Sequence, residues 1–321
     1  MTRKKLSQHE WLERRLHRLI DLRDKILAVD SDVYGEPEYG FWSLKKEIAL
    51  MYCIWPFLQI AKKYFESYHY LDLFAGSGMM KVDEKTFFVG SPIVALGGTP
   101  PDIEFNSYVC FEIEKRRAAI LETRLKMVSS ELGVGPCKVF KNDCNEQLPL
   151  ILKSTCNDQP DKTCFLAFVD PEGFEVRWDT IQTLLKHCKG DLLLTFQTSG
   201  ILRNIERAKK DAALAGTLTS FFGCQYWREL EVDEDAIVRF YMSRLNTIDG
   251  KNRTTYNIEV KDEKNHRLYD IILATGSTGM SKVISDLKQR LDRIRTRDIR
   301  SLSNALAGQS TQLDEYLQYR S

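Results

Sequence analysis

Apolar residues recur at helical spacing over two N-terminal stretches, residues 8–28 (Leu12, Leu16, Ile20) and 42–66 (Leu44, Ile48, Met51, Ile54, Phe57, Ile60). They predict two helices separated by the Gly/Pro-containing turn VYGEPEYG. From residue 68 the pattern changes to short β-rich runs, YHYLDLFAG, SYVCFEIE, KVFKND, CFLAFVDP and DLLLTFQ, alternating with helical segments at 91–97, 115–132, 145–153 and 177–188. That alternation predicts an α/β fold built on a doubly wound parallel sheet. A helical stretch over 203–248, interrupted near Gly223, follows the fifth strand. Two further strands, 254–260 and 268–275, share the polar turn KDEKNHR, too short for a parallel crossover, so they form a terminal antiparallel hairpin and bring the sheet to seven strands. Residues 279–321 read as amphipathic helix with a polar, Ser/Gln-containing end. The expected organisation is an N-terminal helical layer (1–66), an α/β domain (67–277) and a C-terminal helical extension (278–321).

Composition narrows the classes without choosing one. The 321 residues suffice for one large α/β domain with additions, and a net charge of +1 puts no overall bias toward nucleic acid or membrane, so any basic face is local. Eight cysteines show no C-x-x-C pair, and several sit inside strand-like runs, which points to reduced thiols in a core and a cytoplasmic setting. The five histidines have no metal-ligand spacing, and no metal is expected. The charged N-terminus lacks an apolar segment and no run is long enough to span a bilayer, so neither export signal nor membrane helix is expected.

The stretch YLDLFAGSGMM ends a strand in a glycine turn. A phosphate-binding loop requires a Gly-Lys pair, but Met79, Met80 and Lys81 follow Gly78; a dinucleotide fingerprint requires a third glycine where Lys81 stands. What remains is D-x-F-x-G-x-G, the loop that passes beneath the methionine part of S-adenosylmethionine. Its candidate cofactor-binding residues are Asp72, Phe74, Ala75, Gly76, Ser77 and Gly78. Glu112, with Glu114 as the alternative register, ends the second strand where a carboxylate accepts ribose hydroxyls, and Asn142 and Asp143 end the third, near the adenine edge.

The fourth strand, FLAFVDPEGF, ends abruptly in Asp170-Pro171, at the sheet edge where open α/β sheets bind ligands. An acid followed by proline there supplies a side-chain oxygen and a backbone carbonyl that both accept hydrogen bonds from an exocyclic amino group, while a nearby aromatic stacks an extruded base. Asp170, Pro171 and Phe174 are the candidate catalytic residues. Arg203, Arg207, Lys209 and Lys210, after the fifth strand, are candidates for substrate binding; other basic clusters lie at Arg14, Arg15 and Arg18, and between Lys282 and Arg300.

YLDLFAGSG, GSPIVAL, ND followed by Asn145, FVDPEGFEVRWDTI and DLLLTFQTSGILRN together resemble the three-Cys-motif partner (TcmP) proteins, over roughly residues 42–290. The resemblance implies a class I methyltransferase Rossmann-like fold, S-adenosylmethionine as cofactor, and a neighbouring protein with three cysteines as possible partner. Where that family usually has an aromatic between Pro and Gly, this chain has Glu172. The expectation is a methyltransferase acting on an exocyclic amino group of DNA or RNA. A second reading, from another class, is a non-catalytic cofactor-binding subunit that scaffolds a neighbouring protein. Ser91 and Pro92 suit a helix start, which leaves Met79–Gly90 as a loop at the cofactor edge. It reads as a lid touching substrate through Lys81, Lys85, Phe87 and Phe88, or as a surface insertion.

Overall fold

Strand β1 (Ser67–Asp72) is an inner strand of the main sheet, and the chain then builds outward from it in two directions. The structure, a computed structural model, describes residues 6–28, 39–155, 159–187, 189–250 and 252–308. Most of the turn VYGEPEYG, Cys156, Cys188 and the polar end from residue 309 lie outside the described residues. After β1 come the short strands β2 (Met79–Lys81) and β3 (Phe87–Val89), then β4 (Ser107–Phe111), β5 (Cys137–Phe140), β6 (Thr163–Val169), β7 (Lys189–Phe196), β8 (Thr254–Lys261) and β9 (Arg267–Thr275). The main sheet has seven strands in the order β5-β4-β1-β6-β7-β9-β8. All run parallel except β9, which is antiparallel to both its neighbours. The seven-stranded sheet and its antiparallel hairpin are therefore as the sequence predicts. Its order adds one feature: the reversed strand is inserted between β7 and β8 instead of lying at the edge.

Successive residues of the inner strands feed two separate cores. Tyr70, Cys110, Leu166 and Phe168 point to one, and Leu71, Val109, Ala167 and Val169 to the other. Burial on both faces is why these strands read as continuous apolar runs. The first core is covered by α1 (Gln8–Leu27), α2 (Leu44–Tyr64), α3 (Ser91–Gly98), α4 (Lys115–Leu132), α10 (Thr278–Leu291) and α11 (Thr296–Leu306). The second is covered by α5 (Cys144–Thr155), α6 (Trp178–His187), α7 (Thr198–Ala208), α8 (Ala212–Phe222) and α9 (Glu234–Asn246). The helices from the two chain ends share one layer: α1 packs on α11, and α2 on α10.

Local chemistry sets the helix limits. Ser7 and Glu10 form a reciprocal capping box at the start of α1, with hydrogen bonds of 3.2 and 2.7 Å. Helix α8 stops at Gly223, whose φ of 66° is left-handed and whose missing side chain makes room for the Trp178 ring. That is the interruption visible in the sequence.

Met79–Gly90 is not an open loop. β2 and β3 pair as an antiparallel hairpin, with Met79, Met80, Phe88 and Val89 buried, and Tyr39 and Gly40 donate backbone hydrogen bonds to Lys81 and Val82 at 2.9 and 3.0 Å. Apolar pairs at the two strands drive this packing, and neither Lys81, Lys85, Phe87 nor Phe88 reaches the cavity described next.

Candidate functional site

β1 is flanked by β4 on one side and β6 on the other, so the connections leaving their carboxyl ends diverge and open a crevice there. A cavity of about 760 Å³ occupies it. Gly76, Glu112, Asn142, Asp143, Asp170 and Gln197, from the ends of five different strands, all line it. The size falls in the range of small-molecule and cofactor sites.

The glycine turn is organised around Asp72, which is fully buried. Its carboxylate accepts from the Tyr70 hydroxyl at 2.8 Å and the Phe74 amide at 3.3 Å. Burial pushes the Asp72 pKa up to about 7, against the pull of hydrogen bonds from Ser91, Tyr70 and Phe74. Phe74 lines the cavity, and Ala75 donates its amide to Phe111 at 2.9 Å. Gly76 and Gly78 have left-handed φ values of 59° and 82°, yet they face different ways. A side chain at Gly76 would project into open space, whereas one at Gly78 would meet Leu121 at 3.0 Å and Ile93 at 3.4 Å. Gly76 alone of the two fronts the cavity; Gly78 lets the turn pack on α3 and α4. Beneath the turn, Arg124 of α4, fully buried, donates to the Ser77 carbonyl and hydroxyl, both at 2.9 Å. Its place amid Leu121, Leu125 and Val128 on one helix face was the only hint, since a charge on an apolar stripe needs a partner.

Glu112 lies at the cavity wall, its carboxylate accepting from the Glu114 amide at 2.7 Å. Burial raises its pKa, while hydrogen bonds from the amides of Glu114 and Gly76 act in the other direction. Glu114 is committed elsewhere: it caps α4 by accepting from the amides of Arg116 and Arg117 at 2.9 and 2.6 Å. Asp143 accepts from the Asn145 amide and side chain at 2.8 and 2.9 Å. Asn145 in turn bonds Glu175, Arg177 and Thr180, tying the end of β5 to the segment after β6.

At the end of β6, Lys46 donates to Asp170 Oδ2 in a nearly buried ion pair. Burial works against the lysine's charge, but Asp170 and then Glu47 outweigh it and hold its pKa above the ordinary value. The Pro171 carbonyl accepts from the Gln197 side chain at 2.9 Å. Phe174 does not line the cavity: its ring packs edge-on against Phe221, with centroids 5.8 Å apart. Tyr39 and Trp42 are the aromatics that line this side, joined by Tyr269 from β9. Glu172 accepts from the Tyr39 hydroxyl at 3.2 Å. Lys46, Tyr39 and Trp42 are site residues that sequence reasoning missed. The signal was Lys45-Lys46-Glu47, three charged residues in the first turn of a helix that is otherwise apolar at that end, all buried.

The basic residues separate along α7. Arg203 lines the cavity. Arg207 approaches Asp211 at 3.7 Å, and Lys209 pairs with Glu206 at 2.6 Å. With ~1.5 Å of rise per residue, Lys209 and Lys210 stand at the far end of the helix from the cavity. Of the other basic clusters, Arg18 donates to the Gly97 carbonyl, Arg15 lies over the Trp11 and Tyr52 rings, and Arg290 and Arg300 pair with Asp286 and Glu263. No described helix is long and apolar enough to cross a membrane.

No family model matches the chain, and no curated protein matches it. Among solved structures it is similar to a Legionella pneumophila protein at 11% identity, over 76% of this chain and 91% of that chain, with a TM-score of 0.45. It is similar to an O-methyltransferase from Bacillus cereus in complex with SAH, at 11% identity, over 86% of this chain and 93% of that chain, with a TM-score of 0.40. A putative RNA methyltransferase from Pyrococcus horikoshii is similar at 12% identity, over 84% of this chain and 97% of that chain, with a TM-score of 0.39. All three likenesses are distant.

Proposed function

We propose that the chain is an S-adenosylmethionine-dependent methyltransferase acting on an exocyclic amino group of a nucleic acid base. The observation that carries this reading is the meeting of Asp170 with Gly76 and Glu112 in one cavity, at the carboxyl ends of three adjacent strands. The residues present suit the cofactor. Gly76 leaves open space where a side chain would stand, so backbone can lie under a ligand; Glu112 offers a carboxylate for ribose hydroxyls; Asn142 and Asp143 border the place for adenine. Bound there, S-adenosylmethionine supplies a methyl group already activated by its sulfonium.

The chain's own task is then orientation. Asp170 accepts a hydrogen bond from the acceptor's amino group, and the Pro171 carbonyl, fixed by Gln197, presents its second lone pair beside it. An amine aligned this way needs little base catalysis, because its proton leaves during or after attack. Tyr39 and Trp42 are better placed than Phe174 to stack a planar base, and Arg203 is the basic residue placed to meet a phosphate. A three-Cys-motif protein as partner enters only through the sequence resemblance.

The test has two stages. Calorimetric titration with S-adenosylmethionine should give saturable binding; its absence would sink the reading entirely. Incubation with methyl-labelled cofactor and either total RNA or sheared genomic DNA should place label in a nuclease-released base. Cofactor binding with no label in either polymer would remove the nucleic acid acceptor and favour the scaffolding alternative.

A further inference from the structure

Lys46 belongs to the first turn of α2, outside the sheet, yet its side chain is only 9% exposed and its ammonium caps the carboxylate that ends β6. The Tyr39 ring centroid lies 5.3 Å from Nζ. Next to it in sequence, Glu47 is 1% exposed, and its Oε2 has no hydrogen-bond partner among the described residues. Burial lifts the Glu47 pKa well above the usual carboxylate range, and the neighbouring Lys46 pulls it the other way. As a device for holding α2 on the sheet, this arrangement is poor. Desolvating two charges offsets most of their attraction, and apolar residues would do as well without leaving a carboxylate oxygen idle.

The arrangement suits a different task. We propose that Lys46 is a displaceable cation: it covers Asp170 until an acceptor amino group arrives, then yields that carboxylate, with the idle Glu47 oxygen as its second seat. Lys46 is thus a positioning residue that selects acceptors presenting hydrogen-bond donors able to replace an ammonium. Oxygen acceptors without such donors leave the pair closed. The inference rests on the methyl-donor reading above and adds the acceptor selection.

Its test requires no acceptor. Calorimetry would compare S-adenosylhomocysteine, which has no charge at the transfer position, with sinefungin, which carries an amine there. In the native chain Lys46 competes for Asp170, so sinefungin holds little advantage. In Lys46→Met, and in Lys46→Gln as a second variant, the uncovered carboxylate should raise the sinefungin preference about tenfold, the effect of one well-placed opposite charge. In Asp170→Asn that preference should vanish. Because the two ligands differ at one position, general loosening of the fold shifts both affinities and leaves their ratio unchanged. An unaltered ratio in both lysine variants, with both ligands bound, overturns the proposal. Failure of both variants to fold also overturns it, since the pair is then structural. If the native chain binds neither ligand, the methyl-donor reading itself fails.

Discussion

The guanidinium of Arg124 supports the glycine turn from below, bonded to both the carbonyl and the hydroxyl of Ser77 at 2.9 Å. The turn is therefore held by a buried charge on α4 as well as by its glycines. Arg124→Met keeps the bulk and removes the donors, leaving the Ser77 carbonyl unpaired. It should cost about 2–3 kcal/mol in urea unfolding and weaken cofactor binding, with both measured on the same preparation. Undiminished stability would show that water replaces the guanidinium.

The two glycines of the turn should respond differently to alanine. Gly78→Ala adds left-handed strain of roughly 1–2 kcal/mol and a contact with Leu121 at 3.0 Å, so the unfolding midpoint should drop most in that variant. Gly76→Ala carries the strain without the contact and points its methyl into the cavity, so cofactor affinity should fall more than stability warrants. Equal effects of the two substitutions on binding would contradict the assignment of Gly76 as the cavity-facing residue.

Asp170→Asn should leave cofactor affinity within a few-fold of native and lower methyl incorporation by at least about 100-fold, the scale of a lost orienting group. A parallel loss of binding would mean that Asp170 serves the cofactor instead of the acceptor.

Along α7, Arg203→Ala should raise KM for a polynucleotide acceptor and flatten its salt dependence, whereas Lys209→Ala and Lys210→Ala should do neither. Steady-state titration at two salt concentrations separates the cases. A larger effect at Lys210 would move the polymer track to the far end of the helix.

Asp191, buried at the start of β7, gives the fold a pH dependence of defined sign. Burial lifts its pKa to about 7, against opposing effects of Thr275 and Arg253, from an unfolded value of about 3.9. Between those values the folded chain holds the extra proton. This group's contribution therefore falls as pH rises from about 4 to 7 and is flat above, and Asp72 acts in the same direction. Asp191→Asn removes the dependence at one position, so its gain in unfolding free energy, read from urea titrations, should be larger at pH 8 than at pH 5, by about 3 kcal/mol. Equal gains at both values would show that Asp191 is ionised throughout.

The sheet was legible in the sequence because strands buried on both faces are largely apolar along their length, and β1, β4, β5 and β6 each end at or just before an acid at the crevice end of the sheet. Asp72, Glu112, Asp143 and Asp170 announce those ends. The side proposed to meet the acceptor was not legible, because it is assembled from distant pieces. Tyr39 and Trp42 precede α2, Lys46 is on it, and Tyr269 comes from β9. A helical period identifies which residues of α2 face inward; it cannot say that a lysine among them meets a carboxylate 124 positions later. Phe174 illustrates the converse error. Proximity in sequence to Asp170 suggested a stacking partner, but the chain turns after Pro171 and packs that partly buried ring edge-on against Phe221, off the cavity lining. The hairpin over Met79–Gly90 was obscured by its brevity, since three-residue strands offer too few positions to display a period.

The inserted position of β9 bears on how the protein comes into being. β8 touches the sheet only through β9, and β9 carries Leu268 and Tyr269 to the cavity wall. A chain emerging from the ribosome thus presents Tyr39, Trp42, the glycine turn and the ends of β1, β4, β5 and β6 before β9 supplies the last piece of the wall. That wall closes only when residues 267–275 pair with β7 and bring β8 into the sheet with them, which ties completion of the cavity to completion of the sheet.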